Sequence, residues 1–417
     1  MRRKLFSGIV SGTLAITVTL ALGGSAWAQR TFKTLQAFTR TQGVYAHWKP
    51  TLDAAGNLYG AACYGGAYGY GVVFKLAPNP DGSWTESSLH DFTGGADGSC
   101  PNGTAIFDAA GNLYSTAYQG GTYGAGVVFE LTPNLDGSWT ESVLYTFTGQ
   151  ADGQGPNPII FGAQGALYGT VIYGGAHGWG VVFELTPNTD GTWTESVLYA
   201  FTGGLDGGHS VGGLIFDAAG SLYGTTYWAG SGGCVNRCGT VFKLTPNSDG
   251  SWAESVLHWF TGGWDGANPA DALAFDAAGN LYGATDWGTF SQSCGTTCGT
   301  VFQLTPKSDG GWTTRILHRF TGGKDGAEAN GGCGVTFDAA GNLYGTRTGG
   351  GNNGYGVVFN LAPESSGGWG YHILHAFKGA PGAYPDGGVI FDAAGNLYGT
   401  TSGDGIKTFS SVFEITP

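Results

Sequence analysis

Seven cysteines are the most reactive side chains in the chain: Cys63, Cys100, Cys234, Cys238, Cys294, Cys298 and Cys333. Cys234 and Cys238, then Cys294 and Cys298, repeat a Cys-x-x-x-Cys spacing. A zinc site needs four convergent ligands, which neither pair supplies alone, so no metal is expected. In an oxidising compartment the thiols pair instead. The simplest bridges are Cys234 with Cys238, Cys294 with Cys298, and Cys63 with Cys100. Cys333, topologically equivalent to Cys100, competes for Cys294 or Cys298, and one thiol is left over. Acid–base chemistry has few carriers: His177, His209 and Asp206 are the candidates. No Ser-His-Asp order, His-Glu-x-x-His or Gly-x-Ser-x-Gly motif accompanies them. Tyr68, Tyr70, Tyr123, Trp179, Trp228, Trp264 and Trp287 break an otherwise regular pattern, with His177 and His209 beside them. Rings set among glycines can stack on sugars or grip a protein partner, or they can merely shield neighbouring loops.

These residues lie in a repeat. The Leu-Tyr pair recurs at Leu58, Leu113, Leu167, Leu222, Leu281, Leu343 and Leu397, at intervals of 54 to 62 residues. Each copy holds four short apolar runs, which predicts four antiparallel strands. Asp-Ala-Ala-Gly separates the first two runs as a tight hairpin. Thr-Pro-Asn-x-Asp-Gly separates the last two, because proline cannot continue a central strand. In the fourth run, alternation predicts that Trp139, Val143, Tyr145 and Phe147 share one face. Trp84, Trp139, Trp193, Trp252, Trp312 and Trp369 open six of these runs, which is core packing. The column Gln36, His90, Tyr145, Tyr199, His258, His318 and His375 puts tyrosine where histidine stands elsewhere, so a structural role is expected. A second column, Asp97, Asp152, Asp206, Asp265, Asp325 and Asp386, precedes glycine in a turn. Calcium is the alternative, but the turn by itself accounts for both residues, and no cofactor is expected.

Four strands per copy make a propeller blade, and the ends of the chain choose between a ring and an open solenoid. Leu35-Gln36-Ala37-Phe38-Thr39 matches a fourth strand, and Val412-Phe413-Glu414-Ile415-Thr416-Pro417 matches a third. The last blade is complete only when the first segment joins it, which also removes a bare sheet edge. The expected fold is all-β: a seven-bladed propeller over residues 29–417, closed by its N-terminal strand. In such a ring the loops joining second to third strands share a face with the connections between blades. Variation concentrates on that face, including the insertions Ser231–Cys238 and Thr289–Cys298.

Composition agrees. Glycine reaches 80 of 417 residues, falling between apolar runs, without a collagen period. The net charge is −13 with no cluster of Lys or Arg, which argues against nucleic acid or an anionic membrane surface as partner. Arg2, Arg3 and Lys4, the apolar run Ile9 to Leu22, and Ala26-Trp27-Ala28 read as a secretory leader, residues 1–28, cleaved before Gln29. No cysteine at that point suggests a lipoprotein, and no later segment is apolar enough to span a bilayer. A secreted or periplasmic protein is expected.

The phrases Phe-Asp-Ala-Ala-Gly-Asn-Leu-Tyr-Gly-Thr, Gly-Val-Val-Phe-Glu-Leu-Thr-Pro and Glu-Ser-Val-Leu-Tyr-x-Phe-Thr-Gly-Gly-x-Asp-Gly resemble the GloVer tandem repeat of bacterial choice-of-anchor proteins. The resemblance covers essentially the whole chain after the leader. It implies export and a repeat domain without assigned chemistry, and offers no catalytic residue. Members often end in a surface-sorting segment; this chain stops at Pro417, so a covalent anchor is not expected. The function expected first is a non-enzymatic binding module for polysaccharide or an envelope protein, acting through the variable face. The alternatives are a lyase or lactone hydrolase with its site at the central channel, and a structural envelope or matrix protein.

Overall fold

The computed structural model describes residues 30–46, 48–230, 238–270, 272–288, 298–327, 334–403 and 409–417. The leader and Cys234, Cys294 and Cys333 lie outside them. Seven antiparallel sheets follow one another along the chain. In the second blade the inner strand is split into Ser99–Pro101 and Ile106–Phe107; Leu113–Gln119, Val127–Pro133 and Trp139–Thr146 follow it outward. The last sheet orders Thr31–Ala37, Ser411–Thr416, Leu397–Thr401 and Pro385–Phe391, so the N-terminal strand is the outer strand of the C-terminal blade. Thr31 faces Thr416 and Ala37 faces Ser411. The molecule is a seven-bladed β-propeller.

The core lies between blades. Each blade contributes one phenylalanine from its third strand and one just after its fourth, and these meet across every interface. Phe92 and Phe129 are 5.2 Å apart, Phe147 and Phe183 5.1 Å, and Phe201 and Phe242 5.2 Å. Phe260 with Phe302, and Phe320 with Phe359, continue the series. Phe377 with Phe413 at 5.4 Å and Phe38 with Phe74 at 4.7 Å complete it on either side of the closing blade. Opposite each third-strand ring the second strand carries a residue that leaves room: a Cβ on Gly224 would stand 2.6 Å from Phe242 Cζ. The tryptophan column packs as expected, with Trp139 against Tyr59 and Trp312 against Tyr223 of the preceding blades.

The hairpins owe their shape to side chains that mimic backbone. Asp53 Oδ1 accepts from the backbone N–H of Ala55 and Asn57, both at 2.9 Å, and Oδ2 accepts from Asn57 Nδ2 and the Tyr59 hydroxyl. Asp108, Asp276, Asp338 and Asp392 repeat the arrangement. The third blade has Gly162 in place of that aspartate and closes with a 3-10 turn over Ala163–Gly165.

The alternation expected in the fourth strand does not run its whole length. A β-bulge interrupts each one, between Val143 and Tyr145 in the second blade. The extra residue flips the side chains beyond it. Val143, Val197 and Ile373 are exposed as a result, while Leu144 and Tyr145 pack inward with Phe147.

Candidate functional site on the loop face

Backbone bonds tie the two variable loop types together. Gly121 N–H donates to Gly95 O, Gly175 N–H to Gln150 O, and Gly230 N–H to Gly204 O, each at 2.8 Å. The connections between blades and the loops after the second strands therefore form one continuous face.

In each connection the aspartate organises its own turn. Asp97 accepts from the Thr93 N–H at 2.7 Å and from the Thr93 hydroxyl at 2.5 Å. Asp152 and Asp206 do the same with Thr148 and Thr202, and each also accepts from a tyrosine hydroxyl, Tyr145 or Tyr199. Where the column has histidine, Nε2 takes the tyrosine's place: His90 is 3.4 Å from Asp97 and His258 3.3 Å from Asp265. His258 and His318 also reach the next blade, His258 Nδ1 standing 2.9 Å from the Thr314 hydroxyl and His318 stacking on Tyr371 at 4.1 Å. His375, which has no such aspartate, stacks on Phe32 at 3.7 Å, and burial holds its pKa down at about 4. Asp386 does not belong to the column. It lies in the inner strand Pro385–Phe391, one residue after Pro385, where Asn102 follows Pro101 in the second blade. Among the described residues no three His, Cys, Asp or Glu side chains are grouped so as to hold a metal ion.

Behind three of these turns stands a second carboxyl from the next blade. Burial, and then the charge of Asp97, raises the Glu141 carboxyl to about 7. Glu195 beside Asp152 and Glu254 beside Asp206 are raised to about 7 for the same reasons. One oxygen of each glutamate is buried without a hydrogen-bond partner. A folded pKa above the unfolded value means that the folded state holds the proton more tightly, so stability falls as pH rises from the unfolded value toward 7. Because the groups are part exposed, each site is worth about 1 kcal/mol, well below the full linkage value. The melting temperature should therefore drop between pH 5 and pH 8 in thermal denaturation, and Glu141→Gln/Glu195→Gln/Glu254→Gln should flatten that dependence. An equally steep profile in the triple variant would contradict this account.

The aromatic candidates divide by what lies beneath them. Tyr68, Tyr123 and His177 stand exposed on loops after second strands. Tyr70 is half exposed and packs on Gly94, whose Cβ would be 2.6 Å from its ring. Trp179 is half-buried on Gly203 and Gly208. His209, at φ 52, sits among Tyr173, Trp179 and Trp228 with ring centroids 4.8 to 5.0 Å away. Trp264 is the most exposed, at 77%, on the tip of its connection. Arg319 braces it: the guanidinium lies 5.0 Å from the indole centroid, and Nε donates to Trp264 O at 2.9 Å.

Three exposed aromatics escape sequence reasoning. Tyr64 and Tyr173 occupy the register position of Trp228 and Trp287, six residues after the Leu of each Leu-Tyr pair. Counting that register would have found them. Trp259 ends a fourth strand, and its indole N–H donates to Leu205 O at 2.7 Å. With Leu205, Tyr199, Asp206 and Glu254 it lines an open groove of about 330 Å³ between the third and fourth blades.

Cys63 and Cys100 form the expected disulfide, joining the first blade to the entry of the second. Cys238 and Cys298 are each disulfide-bonded as well, and the partners expected for them, Cys234 and Cys294, lie outside the described residues. These bonds are compatible with an extracellular or periplasmic protein. No helix among the described residues is long and apolar enough to cross a membrane.

The fold and this face define a β-propeller whose blades are conserved in plan and whose loops vary on one side. The chain matches the Gloeobacter/Verrucomicrobia repeat over residues 24–228, 106–296 and 231–417, and it belongs to that family. No protein of curated function matches it in sequence. Among solved structures, the extracellular domain of BT4673 from B. thetaiotaomicron is similar with 10% identity and a TM-score of 0.55, over 91% of this chain and 39% of that one. A gluconolactonase from Xanthomonas campestris is 19% identical with a TM-score of 0.42, over 77% of this chain and 89% of its own. A carbohydrate-active enzyme of family AA12 from Trichoderma reesei is 12% identical with a TM-score of 0.44, over 93% and 95%. Identities this low speak to fold alone.

Proposed function

We propose that this protein is an exported, non-enzymatic binding module that engages a polysaccharide through its aromatic loop face, after removal of residues 1–28. The observation that carries this reading is the concentration of repeat-breaking exposed rings on that one face, above all Trp264 held up by Arg319. A flat indole fixed from below loses little entropy on binding and presents an apolar surface to the C–H face of a sugar ring. The groove beside Trp259 adds a polar wall for sugar hydroxyls, with the Glu254 carboxyl in its lining. Among the described residues that line the channel, Lys49 carries the one charge.

The test is retention of the mature protein on insoluble polysaccharides, cellulose and chitin among them. Trp264→Ala and Trp259→Ala should each weaken retention about tenfold, the loss of roughly 1.4 kcal/mol that one stacking contact is worth. Thermal unfolding should stay unchanged in Trp264→Ala, whose ring is 77% exposed, and fall modestly in Trp259→Ala, whose ring is 39% exposed and bonded to Leu205 O. Equal retention of variants and parent on every polysaccharide would count against a glycan ligand.

A further inference from the structure

Inside the ring the inner strands enclose a cavity of about 240 Å³. Its wall is set by the residue two places before the strand at Thr51–Leu52 and its counterparts: Thr104, Pro158, Gly213, Ala272, Gly334 and Gly388. These are small and uncharged. The bulky neighbours turn away from the axis: Ile159 and Leu214 reach the second strands, where a Cβ on Gly169 or Gly224 would meet them at 2.9 to 3.0 Å. The first blade alone breaks the rule, with Lys49 in that position and Trp48 beside it. The register of Trp48 holds glycine at Gly103, Gly212 and Gly387, and Asn157, Asp271 and Cys333 in the other three blades. The Trp48 indole N–H is spent on Asn102 Oδ1 at 2.9 Å and its carbonyl accepts the Thr400 hydroxyl at 3.0 Å, so the ring offers the cavity only an apolar surface. No carboxylate among the described residues pairs with Lys49.

We propose that the central cavity is a binding site for a small apolar carboxylate, its hydrocarbon body against Trp48 and the aliphatic wall and its charge on Lys49. The size fits: a dry apolar cavity of about 150 Å³ accepts benzene, so this one has room for two fused rings. The charge fits as well. An ammonium partly withdrawn from water gains from an anion more than a surface lysine does, because the local dielectric is low. This site is separate from the loop face and does not depend on the polysaccharide reading.

Isothermal titration of the mature protein with 2-naphthoate and with its neutral analogue 2-naphthamide tests the assignment. One naphthoate should bind per chain, at least tenfold tighter than the amide. Lys49→Met should erase that preference while amide binding persists. Ala272→Phe, which fills the cavity, should abolish both, and Trp264→Ala should change neither. Lys49→Gln serves as a second neutral variant, and circular dichroism checks that each variant is folded. Failure of naphthoate to bind the parent protein, or naphthoate binding undiminished in folded Lys49→Met or Lys49→Gln, overturns the proposal.

Discussion

A chain lacking Thr31–Thr39 should fail to unfold cooperatively and should associate in solution. That segment touches two neighbours as well as its own sheet. It pairs along Ser411–Thr416 from Thr31 to Ala37. Phe32 stacks on His375 and packs within 5.8 Å of Phe377 and Phe413. Phe38 is buried against Phe74 of the first blade. Burying rings of this kind contributes about 1.5–3 kcal/mol each, and the whole net stability of a domain is only about 5–15 kcal/mol. Deletion would also bare the strand Ser411–Thr416 as a sheet edge, the usual template for association. Size-exclusion chromatography and a thermal melt by circular dichroism would show it. A synthetic peptide spanning the deleted strand should restore the monomer by adding back the missing edge. A monomeric truncated chain that melts within a few degrees of the parent would mean that closure is not what holds the ring.

Phe201→Ala should cost about 3–5 kcal/mol, the range for emptying a packed phenylalanine site. Phe201 is fully buried and meets Phe242 of the next blade at 5.2 Å and Tyr199 of its own at 5.2 Å. The surrounding strands are hydrogen-bonded on both sides and cannot collapse into the void. Phe147→Ala should behave alike, because it occupies the same position one blade earlier. Chemical denaturation would measure both. A cost below about 1 kcal/mol would show that the phenylalanine pairs are not the inter-blade core, since surface changes fall in that range.

Most of the architecture was legible because a repeat states each rule in several blades. The Leu-Tyr register, the Asp-Ala-Ala-Gly hairpin and the Asp-Gly turn each describe a local event, a side chain bonding to backbone a few residues away. The bulge in the fourth strand was not legible. Val143 and Leu144 are both apolar, and which of them faces solvent depends on the ladder to Val128 and Phe129. Asp386 misled because it precedes glycine like the turn aspartates, yet it stands in a strand. Arg347 shows the same limit. It replaces a small second-strand residue and is completely buried, donating to Thr285 O and Thr300 O with its guanidinium 3.8 Å from the Phe320 centroid. Those acceptors come from the preceding blade, 62 and 47 residues away in the chain.

The loop face divides along the same line. Sequence alone was enough to place Tyr68, Tyr123, Trp179 and Trp264 on one side of the ring and to anticipate the Cys63–Cys100 bond. It could not separate Trp179, settled on Gly203, from Trp264, raised on Arg319, nor bring Trp259 to Leu205 across 54 residues. Repeat position determines which face a residue occupies, because strand direction alternates regularly. Exposure is decided by the neighbouring blade, whose side chains arrive from elsewhere in the chain and meet only when the ring has closed.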